Sequence, residues 1–142
     1  MSDKFLKFDD WQKTVPDYMK KDPLWESVYY RVALFLHDLV WDDCELLRKD
    51  YRASHNISQI VRSSGSISAN MEEAYGRGVG TPDYVRILKI SLGEIRETKG
   101  WYYRSRQALP ADLLEHRCTV IDHLLSLVIN ILNSHKRNLG KK

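Results

Sequence analysis

Apolar residues recur along this chain close to the 3.6-residue period of one face of an α-helix. Leu24, Val28, Val32, Leu36, Leu39/Val40 and Leu46/Leu47 make the first such stripe. It opens on Asp22-Pro23, where the aspartate can accept a first-turn N–H and the proline lacks only a donor that has no intrahelical partner. The pattern predicts a first helix over about Pro23 to Arg48. Ile57, Ile60/Val61, Ser64, Ile67/Ser68, Met71 and Ala74/Tyr75 predict a second, stopped by Gly76-Arg77-Gly78-Val79-Gly80, whose glycines can take the positive φ that ends a helix. Thr81-Pro82-Asp83 repeats the start signal. Tyr84, Ile87/Leu88, Ser91/Leu92, Ile95, Thr98 and Trp101/Tyr102 then carry a third helix to about Gln107. After Leu109-Pro110-Ala111-Asp112, the stripe Leu113/Leu114, Val120/Ile121, Leu124/Leu125, Val128 and Ile131/Leu132 predicts a fourth, ending near His135.

Short connections between long helices fold the chain back on itself, so the expected fold is all-α, an antiparallel up-down-up-down four-helix bundle over residues 23–135. Residues 1–22 form an N-terminal arm whose Phe5, Phe8, Trp11 and Tyr18 suit packing on the bundle or on a neighbouring subunit. Residues 136–142 form a basic tail expected to be flexible.

Composition supports one soluble domain. The 142 residues are 43% hydrophobic and 29% charged, with only four prolines, at 16, 23, 82 and 110. A domain of this size can bury a core without disulfides or a structural metal. Cys44 and Cys118 belong to no C-x-x-C pair and read as two buried free thiols of a reducing compartment. The longest apolar run, Leu124 to Leu132, is broken by Ser126 and Asn130, and Met1 to Asp10 lacks the apolar stretch of a signal peptide. The expected location is the cytoplasm, with no membrane partner.

The residue types that would make such a bundle an enzyme are not spaced for it. A di-metal carboxylate centre needs Glu-x-x-His on two helices, and the residue three after each Glu is Tyr29, Arg48, Tyr75, Gly76, Glu97, Gly100 or Cys118. Asp38, Asp42, Asp43 and Glu45, with His37 nearby, read as a solvated acidic face, and His116 and His123 as surface or packing residues. The glycines from 76 to 80 follow a helix and lack the Gly-Lys-Ser/Thr of a phosphate loop, so they read as a helix–helix turn. Ser63, Ser64, Ser66 and Ser68 read as small residues allowing tight packing, with nothing to place a histidine beside them as a base. No catalytic residue, metal or cofactor is expected.

What remains is the distribution of charge. The net charge is only +3 at pH 7, and the pI near 8.8 is below that of a strongly basic nucleic-acid binder. The positive charge is nevertheless concentrated in the second half, as Arg77, Arg86, Lys89, Arg96, Lys99, Arg104 and Arg106 against Asp83, Glu94 and Glu97. With Trp101, Tyr102 and Tyr103 this run reads in two ways. It is either a phosphate-binding surface with aromatic platforms for bases, or a salt-bridged solvent face with the aromatics in the core.

The second predicted helix, Ser58-Gln59-Ile60-Val61-Arg62-Ser63-Ser64-Gly65-Ser66-Ile67-Ser68-Ala69-Asn70-Met71-Glu72-Glu73-Ala74-Tyr75-Gly76-Arg77-Gly78, resembles the signature of the bacterial 23S rRNA intervening-sequence proteins. Gln59, Arg62, Ser66, Ile67, Ala69, Asn70, Glu73, Tyr75 and Gly76 carry the likeness as structural positions, and Tyr84 to Thr98 is similar to the family's third helix. The resemblance spans about residues 24–133. It implies a four-helix bundle assembling as a ring-shaped homo-oligomer, a pentamer. A branch of the family includes the accessory variability determinant of diversity-generating retroelements, which binds a reverse transcriptase and nucleic acid. The expectation is therefore a non-enzymatic oligomeric binding protein, an accessory factor for RNA or DNA contacting phosphates through the seven basic residues above. The alternative is a scaffold that docks a protein such as a reverse transcriptase without touching nucleic acid.

Overall fold

A computed structural model of the chain describes residues 5–140, with side chains described as far as Lys136. It holds six α-helices: α1 (Phe8–Thr14), α2 (Asp17–Lys20), α3 (Val28–Arg48), α4 (Ile57–Gly76), α5 (Pro82–Arg104) and α6 (Ala111–Gly140). Three short 3-10 turns lie between them at Pro23–Glu26, Ala53–Asn56 and Arg106–Ala108, and no strand occurs among the described residues.

The four long helices follow the apolar stripes, with corrections at their ends and six α-helices in place of four. The Asp22-Pro23 signal starts a 3-10 turn instead of a long helix: the Asp22 carboxylate accepts the Leu24 N–H at 2.9 Å. Ser27 then takes an extended conformation, φ −80° and ψ 114°, which ends that turn and sets α3 off from Val28. The third helix stops at Arg104 instead of Gln107, where the Ser105 N–H turns to the carbonyls of Trp101 and Tyr102. The fourth runs to Gly140, past His135. Lys141 and Lys142 of the expected tail, like residues 1–4 of the arm, lie outside the described residues.

Small residues set how closely α4 and α5 approach. Ser63 and Thr98, both fully buried, share a hydrogen bond of 2.9 Å between their hydroxyls, and the Ser91 hydroxyl donates to the Ile67 carbonyl at 2.9 Å. Each hydroxyl thus finds a partner inside the core, as burial requires. Tyr30 donates to Glu72 at 2.7 Å and His37 is hydrogen-bonded to Ser64 at 2.9 Å between α3 and α4. Between α5 and α6, Tyr84 meets the His135 ring and Lys99 donates to Asp122. In each of these three seams residue numbers rise along one helix as they fall along the next. The arm packs on its own bundle: Trp11 is buried among Phe8, Trp25 and Phe35 and donates its indole N–H to Asp38 at 2.8 Å.

The acidic face expected on the first helix is not uniformly solvated. Asp42 and Glu45 are exposed, but Asp43 is buried beside Arg117 of α6. Arg117 donates Nε to one Asp43 oxygen at 2.8 Å and Nη2 to the other at 3.0 Å, and the Tyr102 hydroxyl donates to the same carboxylate at 2.7 Å. Burial opposes the Arg117 charge, yet the Asp43 hydrogen bonds and charge outweigh it and hold the guanidinium pKa above its ordinary value. Both cysteines are free, as expected, but half-buried. Burial still pushes both thiols up.

Removing one partner of a buried ion pair leaves the other uncompensated, which costs about 3–5 kcal/mol. Arg117→Met should lower stability by about that amount in urea unfolding, and a loss below ~1 kcal/mol would show that Asp43 has another source of compensation. Alkali should act on the tyrosines. Burial raises the pKa of Tyr30, Tyr84 and Tyr102, reinforced by Glu72, by Tyr29 and by the Asp43 charge respectively. The unfolded chain loses these protons near pH ~10 while the folded chain keeps them, so stability must fall as pH rises above ~10. The expected result is a late tyrosinate absorbance step that coincides with the loss of helical circular dichroism. Full ionisation with the helix signal intact would contradict it.

Candidate nucleic-acid interface

The turn from α4 to α5 begins the site. Gly78 and Gly80 take φ of +98° and +86°, a region that L side chains rarely adopt. Thr81 then accepts the Tyr84 N–H at 3.2 Å and Pro82 occupies the first turn, so α5 starts on the signal its sequence carries. From there α5 has differentiated sides. Tyr84, Ile87, Leu88, Ser91, Ile95, Thr98 and Tyr102 enter the core. Glu94 and Glu97 meet Arg62 of α4. Lys99 reaches Asp122 of α6.

The outward side carries Arg86, Lys89, Arg96 and Arg104, spaced so that they share a helix face with Gly93 and Gly100. All four are exposed, and Glu97 stands at the edge of their row, held by Arg62 and by the Trp101 indole N–H. Lys89 and Arg96 have no ion pair among the described residues. Arg86 is paired with Asp83 at 3.0 Å, and Asp83 also meets Arg77, which Glu73 holds at 2.8 Å. Those hydrogen bonds, Glu73 first, raise the Arg77 pKa, as the Asp122 hydrogen bond raises that of Lys99. Exposed pairs of this kind are worth about 0–1 kcal/mol and exchange readily for a phosphate.

The seven predicted basic residues therefore do not act as one patch. Arg86, Lys89, Arg96 and Arg104 share the outward face of α5; Arg77 sits at the end of α4 and Lys99 is turned to α6. Arg106 lies in the turn after α5, its guanidinium 4.2 Å from the Tyr103 ring centroid, and Arg104 lies 4.8 Å from that of Trp101. Gly100 leaves the room: a Cβ there would come within 2.7 Å of Arg104 Nη1. The three aromatics divide between the two readings. Tyr102 is wholly buried, Trp101 is half-buried with its indole N–H donated to Glu97, and Tyr103 is 60% exposed.

The signature residues of α4 act mainly as structure. Gln59 accepts from Arg62, which spans to Glu94 and Glu97; Ile67 is core; Asn70 donates to the Ser66 carbonyl; and Glu73 holds Arg77. Tyr75 is half-buried and Ala69 exposed, while nothing within 4 Å explains glycine at Gly76.

Sequence reasoning missed two groupings. His37 does stand beside Ser64, contrary to expectation, although Ser64 is fully buried and also directs its hydroxyl to the Val61 carbonyl. Tyr51, Arg52 and His55, in the connection from α3 to α4, fell outside every apolar stripe, and the only signal for them was an aromatic and two basic side chains in a short loop. His116 packs against Phe5 and accepts from Arg117, whereas His123 is exposed. Among the described residues no three His, Cys, Asp or Glu side chains gather as a metal would need. No described helix is long and apolar enough to cross a membrane.

A fold of long helices without a strand among the described residues, closed by α4–α5 packing through small residues, defines a helical-bundle protein. Residues 28–133, from the first residue of α3 into α6, match the model of the 23S rRNA-intervening sequence protein family, and the chain belongs to that family. No curated protein and no solved structure matches it.

Proposed function

We propose that the chain is a non-enzymatic, cytoplasmic binding protein, an accessory factor that contacts the phosphates of RNA or DNA through the outward side of α5. The observation that carries this reading is the exposed row of Arg86, Lys89, Arg96 and Arg104, in which Lys89 and Arg96 stand without an ion pair among the described residues while the bordering Glu97 is held by Arg62. Arg77, Lys99 and Arg106 flank the row and can exchange weak local contacts for phosphates. The bundle reads as antiparallel and up-down-up-down, which the opposed numbering across the three seams supports. It assembles as a ring-shaped homo-oligomer, a pentamer. Repetition multiplies a modest charge: five copies at +3 carry about +15.

A second reading is favoured by one feature. A groove of about 360 Å³ between α5 and α6 is lined by Val85, Leu92, Ile129 and Leu132, with Lys89 and Lys136 at its sides. Such an apolar trough suits a scaffold that docks a protein partner such as a reverse transcriptase, and that binding survives salt.

The two readings separate in one experiment. Binding to labelled structured RNA and duplex DNA is followed across a salt series, with mass by light scattering in the same samples. The phosphate reading expects log K to fall linearly with log salt at a mass five times 16.7 kDa. Lys89→Glu with Arg96→Glu should weaken binding at least tenfold and reduce the salt slope by about 2, one for each lost phosphate contact, with the mass unchanged. Unaltered binding by that variant sinks the phosphate reading, and so does an intact oligomer that binds neither ligand at ~50 mM salt.

A further inference from the structure

Overlapping the α5 row at Arg104, the end of the bundle where α3 turns into α4 and α5 into α6 holds a second grouping. A notch of about 190 Å³ opens between the two connections. Asp50, Arg52 and Asn56 line one side, and Arg104, Ser105 and Gln107 the other. Asn56 donates to the Ser105 hydroxyl at 3.0 Å across it, so the two connections are tied together. The one acid of the notch is already engaged: Asp50 accepts the backbone N–H groups of Arg52 and Ala53 at 2.9 and 3.0 Å. Arg52 makes no ion pair among the described residues, although, after the Ala53 N–H, its charge helps to lower the Asp50 pKa, and Arg104 rests on the Trp101 ring.

Each of these arginines is next in sequence to an exposed tyrosine. Tyr51 is 81% exposed and Tyr103 is 60% exposed. The His55 ring stands edge-on to Tyr51 at 5.4 Å, and Arg106 covers one side of Tyr103. Neither ring lines the notch itself, but exposed rings on the same end of the bundle as the two arginines offer what a flexible polynucleotide needs, a flat surface for a base and a cation for a nearby phosphate. A duplex cannot use the rings, because its bases already stack on one another and present only their edges. A protein partner is a poorer match, since the only apolar side chains in the notch are those of Ala53 and Ala108.

We propose that this end of the bundle is a base-stacking site for single-stranded nucleic acid, with Tyr51 and Tyr103 as the platforms and Arg52 and Arg104 as the phosphate contacts. The site rests on the nucleic-acid reading above and adds to it a preference for unpaired over paired strands.

The test uses the full chain and fluorescence anisotropy with a labelled twelve-residue oligouridine, an oligothymidine of the same length and a duplex of matched length. The double variant Tyr51→Ala, Tyr103→Ala should lose about tenfold in affinity for both single strands, given the usual worth of a stacked base, and bind duplex as wild type does. Arg52→Ala alone, which leaves the α5 row intact, should weaken single-strand binding and reduce its salt slope by about 1. Helical circular dichroism checks that each variant is folded. Single-strand binding unchanged in the tyrosine variant, while duplex binding stays salt-dependent, overturns the stacking site and leaves the α5 reading standing. An equal loss on all ligands overturns the stacking site as well. Wild-type protein that binds none of the three overturns both.

Discussion

An aspartate, an arginine and a tyrosine meet inside this bundle away from water, and their geometry leaves little choice about how the helices around them sit. Asp43 has both carboxylate oxygens filled by Arg117 and one of them also by Tyr102. Taking two charges out of water costs several kcal/mol each, and only well-placed partners offset it. A shift of one turn, about 5.4 Å, in α3, α5 or α6 would separate the groups and leave a bare charge in the core. The cluster lies toward the end of the bundle that carries the α3–α4 and α5–α6 connections, so Arg52, Tyr51, Tyr103 and Arg104 inherit their positions from it. Apolar packing along α3, α4, α5 and α6 supplies the drive to collapse, while the buried pair selects among the registers that packing allows.

On α5 one helix serves several environments because side chains three and four apart share a side. Ser91 and Thr98 are small enough to let α4 come close, and each places its hydroxyl on a backbone carbonyl. Glu94 and Glu97 are spent on Arg62, burial and the neighbouring Glu97 pushing the Glu94 carboxyl upward. That use of the acids on the α4 side is what leaves the outward side basic. The seven-to-three excess of bases over acids along this stretch of chain becomes, in three dimensions, a basic row bordered by an acid that Arg62 already holds.

Much of this was legible in the residues. The apolar stripes placed the four long helices, and Thr81-Pro82 began α5 as written, since Thr81 caps Tyr84. The break at Ser27 had no local marker: the same Asp-Pro signal that starts α5 starts only a 3-10 turn at Asp22, because the chain must turn there to let the buried Trp25 pack near Trp11. Asp43 was grouped with its acidic neighbours although it sits three residues after Val40 and four before Leu47, on the buried side of α3. Arg117 interrupts the apolar stripe of α6 in the same way. Two opposite charges, each in a core position of a different helix, were the available signal, but a single helix read alone cannot reveal its partner. The candidate interface was legible as a list of basic residues and not as a surface, since which cations face α6, which face aromatics and which face outward depends on the neighbouring helices.

The same buried cluster also orders events in time. Arg117 follows Asp43 by 74 residues, which at ribosomal rates of ~5–20 residues per second is a delay of roughly 4–15 s. Tyr102, 59 residues after Asp43, emerges earlier and supplies a single donor. Through that interval the carboxylate on the apolar side of α3 lacks the cation that meets it in the finished fold. The set of donors to Asp43 is complete only once the start of α6 has been made.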